Sequence, residues 1–171
     1  MISGLWVGHS GASFGSQSLA ESATPAPMNS IEAMLPHRPP FLFVDEVVEL
    51  SEDRVVARRT VRADEPHFAG HYPGRPVMPG VLLCEAILQA GCCLMVSKGA
   101  DGATLPEDGS VPVVARIREA KFKRMVKPGD VLDLIAKHER TVRGAHFLSG
   151  EARVGGQLAA TLSFVVMMAP P

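Results

Sequence analysis

The stretch His67-Phe-Ala-Gly-His71-Tyr-Pro-Gly-Arg-Pro-Val-Met-Pro79-Gly80-Val-Leu-Leu-Cys-Glu85-Ala-Ile-Leu-Gln89 decides how the rest of the chain is read. Its first half is broken by Gly70, Pro73, Gly74 and Pro76, so it reads as a loop. Pro79 suits a helix start, because its missing N–H would have no partner in the first turn. From Gly80 to Lys98 apolar residues occupy nearly every face. A helix that is apolar all round belongs in the middle of a fold. A loop carrying an imidazole therefore runs directly into a core helix carrying one carboxyl group, Glu85.

Strand-like sequence flanks this helix on both sides. Upstream, Asn29-Ser-Ile-Glu32 resembles a helix start with Asn29 as cap, and Pro36 ends that short helix. Pro39-Pro40 keeps the following residues extended. Phe41–Leu50 and Arg54–Val61 read as strands separated by a Ser51-Glu-Asp53 turn, with Val55, Ala57 and Arg59 alternating against Val56, Arg58 and Thr60. Downstream, residues 99–110 form a polar loop. Four strand-like runs follow, at 111–121, 131–142, 145–154 and 157–168, with hairpin turns expected at Arg143-Gly144 and Gly155-Gly156.

This order predicts an α+β fold: one antiparallel sheet of about six strands wrapped around one long central helix. A doubly wound parallel sheet is excluded, because each parallel pair needs a crossover and only one long helix is available.

The chain has 171 residues, which suits one domain at 29–169 behind an N-terminal extension at 1–28. That extension is rich in Ser, Gly and Ala and holds no Lys or Arg, so it resembles neither a secretory leader nor an Arg-rich transit peptide. We read it as disordered, with Met28 a candidate start. Apolar residues make up 46% of the chain, charged residues 20%, and the net charge is −1. Such a balance gives no electrostatic footprint for nucleic acid. The apolar run Val81–Val96 is interrupted by Glu85 and Gln89 and is shorter than the roughly 20 residues of a membrane span. Three cysteines, Cys84, Cys92 and Cys93, fall on one helix in no disulfide pattern, which favours a reducing, cytoplasmic location.

His71 lies between Gly70 and Tyr72-Pro73-Gly74, where glycine admits a close ligand and proline stiffens the backbone. Its imidazole suits a general base, though a lone loop histidine is more often only exposed. Glu85 shifts that balance, since a carboxyl group among apolar residues is disposed to hold and donate a proton. It is equally readable as a structural group bonded to Gln89, four residues on and on the same face. Gly80, at the helix start, would offer a bare N–H to a thioester carbonyl and its enolate.

His67 and His71 have metal-ligand spacing only in a helix, which the glycines and prolines oppose, so no metal and no cofactor are expected. Lys121, Lys123, Arg124 and Lys127 form a basic cluster with Arg118. It is either a solvated strand edge or a landing place for an acidic carrier protein.

Gly70-His-Tyr-Pro-Gly-Arg-Pro-Val-Met-Pro-Gly-Val-Leu-Leu-Cys-Glu-Ala86 resembles the signature of the (3R)-hydroxyacyl-acyl-carrier-protein dehydratases of the FabZ type. Leu35-Pro-His-Arg-Pro-Pro-Phe-Leu-Phe-Val-Asp45 and Ala120-Lys-Phe-Lys-Arg-Met-Val-Lys-Pro-Gly-Asp130 resemble two further blocks of that family, in the right order. The likeness runs from about Ser30 to Met168. It implies a hotdog fold, and a homodimer, often a trimer of dimers, with active sites at the subunit interface. It implies dehydration of a carrier-bound (3R)-hydroxyacyl chain to the trans-2-enoyl thioester in fatty acid biosynthesis.

The same resemblance makes His71 the base at C2, Glu85 the acid at the C3 hydroxyl, and Gly80 the donor to the thioester carbonyl. The isomerase branch has Asp where this chain has Glu85. Tyr72, Leu88 and Lys121 depart from the usual Phe, Ala and Arg, and the 99–110 loop looks long. Leu88 and the loop bear on acyl-chain length and carrier docking. Other readings are a hotdog coenzyme A hydratase or thioesterase, or a non-catalytic subunit that binds acyl thioesters.

Overall fold

The computed structural model describes residues 30–99 and 106–171. The predicted N-terminal extension, the Asn29 cap and the middle of the 99–110 loop lie outside these residues.

Short α1 (Ile31–Met34) is followed by β1 (Glu46–Leu50) and β2 (Arg54–Thr60). A 3-10 turn at Pro66–Ala69 leads to the long α2 (Gly80–Gly99), and then come β3 (Val111–Phe122), β4 (Val131–Val142), β5 (Ala145–Val154) and β6 (Gln157–Ala169). The strands form one antiparallel sheet in the order β1-β2-β4-β5-β6-β3. The expected hairpin turns are present, with left-handed Arg143-Gly144 and Gly155-Gly156 at their tips.

The main departure is at β1. Pairing begins at Glu46 rather than Phe41, because the backbone of Phe41–Phe43 is satisfied by a side chain instead of a strand. Phe43 N–H donates to Gln89 Oε1 (2.7 Å) and Gln89 Nε2 donates to the Phe41 carbonyl (3.1 Å). The second departure is the 3-10 turn, which lies inside what reads as loop.

The sheet curls around α2. Inward residues of β2 and β4, Val55, Ala57, Leu132, Leu134 and Ala136, are fully buried against Ala86, Ile87, Ala90 and Leu94 of the helix. Burying each such Leu or Ile contributes about 2 kcal/mol. Close approach of helix to sheet depends on Gly150 of β5. A Cβ there would stand 2.3 Å from Ile87 Cγ2 and 3.0 Å from the Ile135 carbonyl.

By length and composition Gly80–Lys98 could cross a membrane (mean hydropathy 1.8 over its most apolar window), yet 72% of that window is buried inside the fold.

The inward face of β2 also carries Arg59, only 2% exposed. Its guanidinium pairs with Glu65, donates to the Leu42 carbonyl at 2.8 Å and lies over the Phe43 ring at 4.5 Å. Burial lowers its pKa, and the Glu65 carboxylate opposes that shift. At the other edge of the sheet, β3 is exposed along its length beyond Pro112, with Val113, Val114 and Ile117 among the exposed residues.

Candidate active site

The loop preceding α2 is tied down at both ends. His71 N–H donates to the His67 carbonyl (3.2 Å), and Met78 N–H donates to the Val126 carbonyl (2.8 Å). Between them Tyr72 and Gly74 adopt left-handed backbone angles, φ 55° and 79°. A left-handed non-glycine residue next to a candidate base is the kind of strain that surrounding structure must impose.

The turn brings the His71 Nδ1 to 2.8 Å from the Val77 carbonyl. A carbonyl oxygen can only accept, so Nδ1 carries the proton and Nε2 keeps its lone pair. The tautomer of the neutral imidazole is thus set by a backbone contact within the loop. The Tyr72 ring meets the imidazole edge-on, with centroids 4.5 Å apart.

Beyond His71 lies an open groove of about 700 Å³, lined by His71, Met78, Gly80, Val81, Phe122 and Met125, with Lys123 and Arg124 on its walls. Gly80 opens α2 here. A Cβ on Gly80 would stand 3.0 Å from the Phe122 ring, so any other residue here would have to displace that ring from the face of the groove. The first N–H groups of α2 have no partner within the helix and favour negative charge beside them.

Glu85 is not among the lining residues of that groove. Gln89 Nε2 donates to its Oε1 at 2.9 Å. His37 Nε2 lies 3.6 Å from the same oxygen. The Glu85 side chain is 21% exposed, so the full burial its apolar neighbours suggest is not reached within one chain. Gln89 is fully buried, and the Phe43 N–H, the Phe41 carbonyl and Glu85 occupy both ends of its amide. Glu85 and Gln89, four residues apart, therefore share one face of the core helix as their spacing predicts. Cys92, seven residues on from Glu85, places Sγ 4.0 Å from the Pro112 carbonyl.

All three cysteines are free and buried, and burial pushes the Cys92 and Cys93 thiols up to about 12.

The basic residues divide. Lys123 and Arg124 line the groove, whereas Lys121 pairs with Glu119 at 3.0 Å on β3. Lys127 is exposed in the turn that Asp130 closes by accepting its backbone N–H at 2.9 Å. Arg124 also donates to Gln157 Oε1 at 2.8 Å, which fixes its guanidinium against the β5–β6 turn. Leu88 is buried in the core. Among the described residues no group of three or more His, Cys, Asp or Glu is arranged to hold a metal ion.

Sequence reasoning missed His37 and the Arg59–Glu65 pair. For Arg59 a signal existed: β2 alternation places it on the same face as Val55 and Ala57.

A six-stranded antiparallel sheet around one helix is the hotdog fold. The dehydratase heterocomplex ApeI:P from Xenorhabdus doucetiae superposes with a TM-score of 0.65 at 19% identity, over 82% of this chain and 91% of that one. A hypothetical thioesterase with coenzyme A from Streptococcus pneumoniae superposes at 0.55 and 15% identity, over 73% and 85%. Likeness at such identities shows the fold alone.

Sequence goes further: residues 35–163 match the FabA-like domain model, and the chain belongs to that family. The 3-hydroxyacyl-[acyl-carrier-protein] dehydratase FabZ of Chloroflexus aggregans is 42% identical over 146 residues, 84% of this chain and 96% of the relative. The FabZ of Streptococcus sanguinis is 42% identical over 141 residues, 81% and 96%.

Proposed function

We propose that this protein is a hydro-lyase that dehydrates (3R)-hydroxyacyl-acyl carrier protein to the trans-2-enoyl thioester in fatty acid biosynthesis. Relatives of nearly the same length, named for that reaction, support it. The observation that carries the chemistry is the Val77 carbonyl on His71 Nδ1, which leaves Nε2 as a base at the mouth of the groove.

His71 Nε2 removes a proton from C2, and the electrons move into the thioester as an enolate. The enolate oxygen sits at the Gly80 N–H, where the start of α2 favours negative charge. As the enolate collapses to the C2–C3 double bond, the C3 hydroxyl leaves with the Glu85 proton as water. Base, donor and acid belong to this chain, and no metal or cofactor is invoked.

Because Glu85 is missing from the groove that holds His71, we propose that the site is shared across a homodimer, with Glu85 of one protomer facing His71 of its partner. The exposed edge strand β3 and the exposed Val81, Phe122 and Met125 around the groove support a second copy covering this face. Dimers would then assemble into a trimer. Lys123 and Arg124, at the groove, dock the acidic carrier protein, with Lys121 and Lys127 flanking. Three free buried thiols support a cytoplasmic protein.

The deciding experiment follows enoyl thioester formation from 3-hydroxyacyl-acyl carrier protein, with His71→Ala alongside. Enoyl product from wild type and almost none from His71→Ala is expected. Thiol release without enoyl product would replace this reading with a thioesterase. Preference for the coenzyme A thioester would make the protein a coenzyme A hydratase.

A further inference from the structure

We infer that His37 is a positioning residue for the acid Glu85: together with Gln89 it holds one carboxyl oxygen, so that the other presents the proton to substrate. The inference rests on Glu85 being the acid and concerns how that acid is aimed.

Two side-chain nitrogens face Glu85 Oε1, one of them within hydrogen-bond distance. Gln89 Nε2 is at 2.9 Å, and the amide is itself fixed by the Phe43 N–H and the Phe41 carbonyl. His37 Nε2 is at 3.6 Å from the same oxygen. That separation exceeds a hydrogen bond, and contacts of this kind often tighten only in the complex with substrate. Among the described residues no comparable partner meets Oε2. With Oε1 engaged as acceptor, a proton on Glu85 resides on Oε2, which is the oxygen free to meet a leaving hydroxyl.

The surroundings of His37 favour a fixed donor over a proton relay. Its ring stacks on Phe41 with centroids 6.3 Å apart. Its Nδ1 is buried and meets no polar partner among the described residues. An unmatched N–H at a buried position costs more than an unmatched lone pair on a weak acceptor, so the ring proton sits on Nε2 and points at Glu85. A relay would need Nδ1 to pass a proton onward, and among the described residues nothing there receives it.

Neighbouring Arg38 anchors the segment through the Leu35 carbonyl (2.8 Å) and the Glu32 carbonyl (3.1 Å), which holds the His37 backbone next to α2. The segment before β1 therefore reaches Glu85 twice, through Gln89 and through His37.

The test compares His37→Phe, which keeps the ring against Phe41 and removes the donor, with His37→Gln, whose amide restores an N–H near Nε2. Expected is a loss of about tenfold in kcat for His37→Phe with KM little changed, and recovery of most of it in His37→Gln. The same pair is then made in a Glu85→Gln background, where His37→Phe should cost nothing further on the residual rate. Melting temperatures of the single variants separate folding from positioning.

Near-wild-type kcat in His37→Phe, while Glu85→Gln is inactive, overturns the role of His37 and leaves the acid in place. Near-wild-type kcat in Glu85→Gln overturns the assignment of the acid itself. A tenfold loss that persists in the Glu85→Gln background overturns action through Glu85.

Discussion

Single atoms decide much of this molecule. Gly150 exists as glycine because Ile87 and the Ile135 carbonyl already occupy the volume of a Cβ. Gly150→Ala should lose about 2–3 kcal/mol, read as a melting temperature roughly 5–10 °C lower. An unchanged melt would mean that helix and sheet are less closely apposed. Cys92 and Cys93 are buried thiols raised to about 12, so in the native protein at pH 8 they should resist an alkylating reagent and react only after denaturation. Rapid native labelling at either would place it at the surface. Glu85→Gln preserves the shape and the Gln89 contact but removes the proton that the proposed acid would donate. It should fold normally and lose about 100-fold or more in turnover, measured as enoyl formation.

At the scale of elements, the loop before α2 is one piece whose stability depends on pH, and His138 and His146 on β4 and β5 are shifted by burial in the same direction. Burial lowers the pKa of His67, with the Glu65 carboxylate opposing and Arg59 and His71 adding to the lowering. The unfolded chain then binds a proton at a higher pH than the folded one. Stability is accordingly intact above the ordinary histidine range and declines as pH falls through about 6.5 toward the depressed folded value. The melting temperature should drop between pH 7.5 and 5.5, and His67→Gln should reduce that drop. An equal drop in both proteins would assign it to other groups. Lys123 and Arg124 belong to the segment after β3, and Lys123→Glu with Arg124→Glu should raise KM for carrier-bound substrate about tenfold while sparing a short thioester mimic. Equal effects on both substrates would remove these residues from carrier docking.

At the scale of the whole molecule, a site shared between protomers makes a prediction that a site within one chain does not. In such a dimer the His71→Ala and Glu85→Gln proteins should each be inactive alone. Mixed under conditions of subunit exchange, half the dimers become hybrids, and each hybrid rebuilds one intact site. Activity should recover to about a quarter of wild type. Absence of recovery despite proven exchange would place both groups in one chain's site. Ile117→Arg, at the exposed β3 edge, should shift the protein toward monomer in sedimentation and reduce turnover with it.

Much of the architecture was readable because it follows from local periodicity. The long helix, the four later strands and both hairpin turns come from patterns within a few residues, and their ends agree with expectation to within a residue or so. The strand expected from Phe41 failed because a side chain 46 positions away, Gln89, takes up the backbone groups a neighbouring strand would have bonded. His71, Gly80 and Glu85 stood out as residue types set against their surroundings, and Gln89 as their neighbour by helical spacing.

The sequence alone determined the class of fold, the family and the chemical groups on offer, since these depend on composition, spacing and motif. Only the tertiary structure decided which nitrogen of His71 is free, that His37 reaches Glu85, that Arg59 lies buried against Glu65, and that His71 and Glu85 occupy different settings of one chain. Each of these depends on atoms brought within a few ångströms by the folding of distant segments, and no local pattern encodes such a distance.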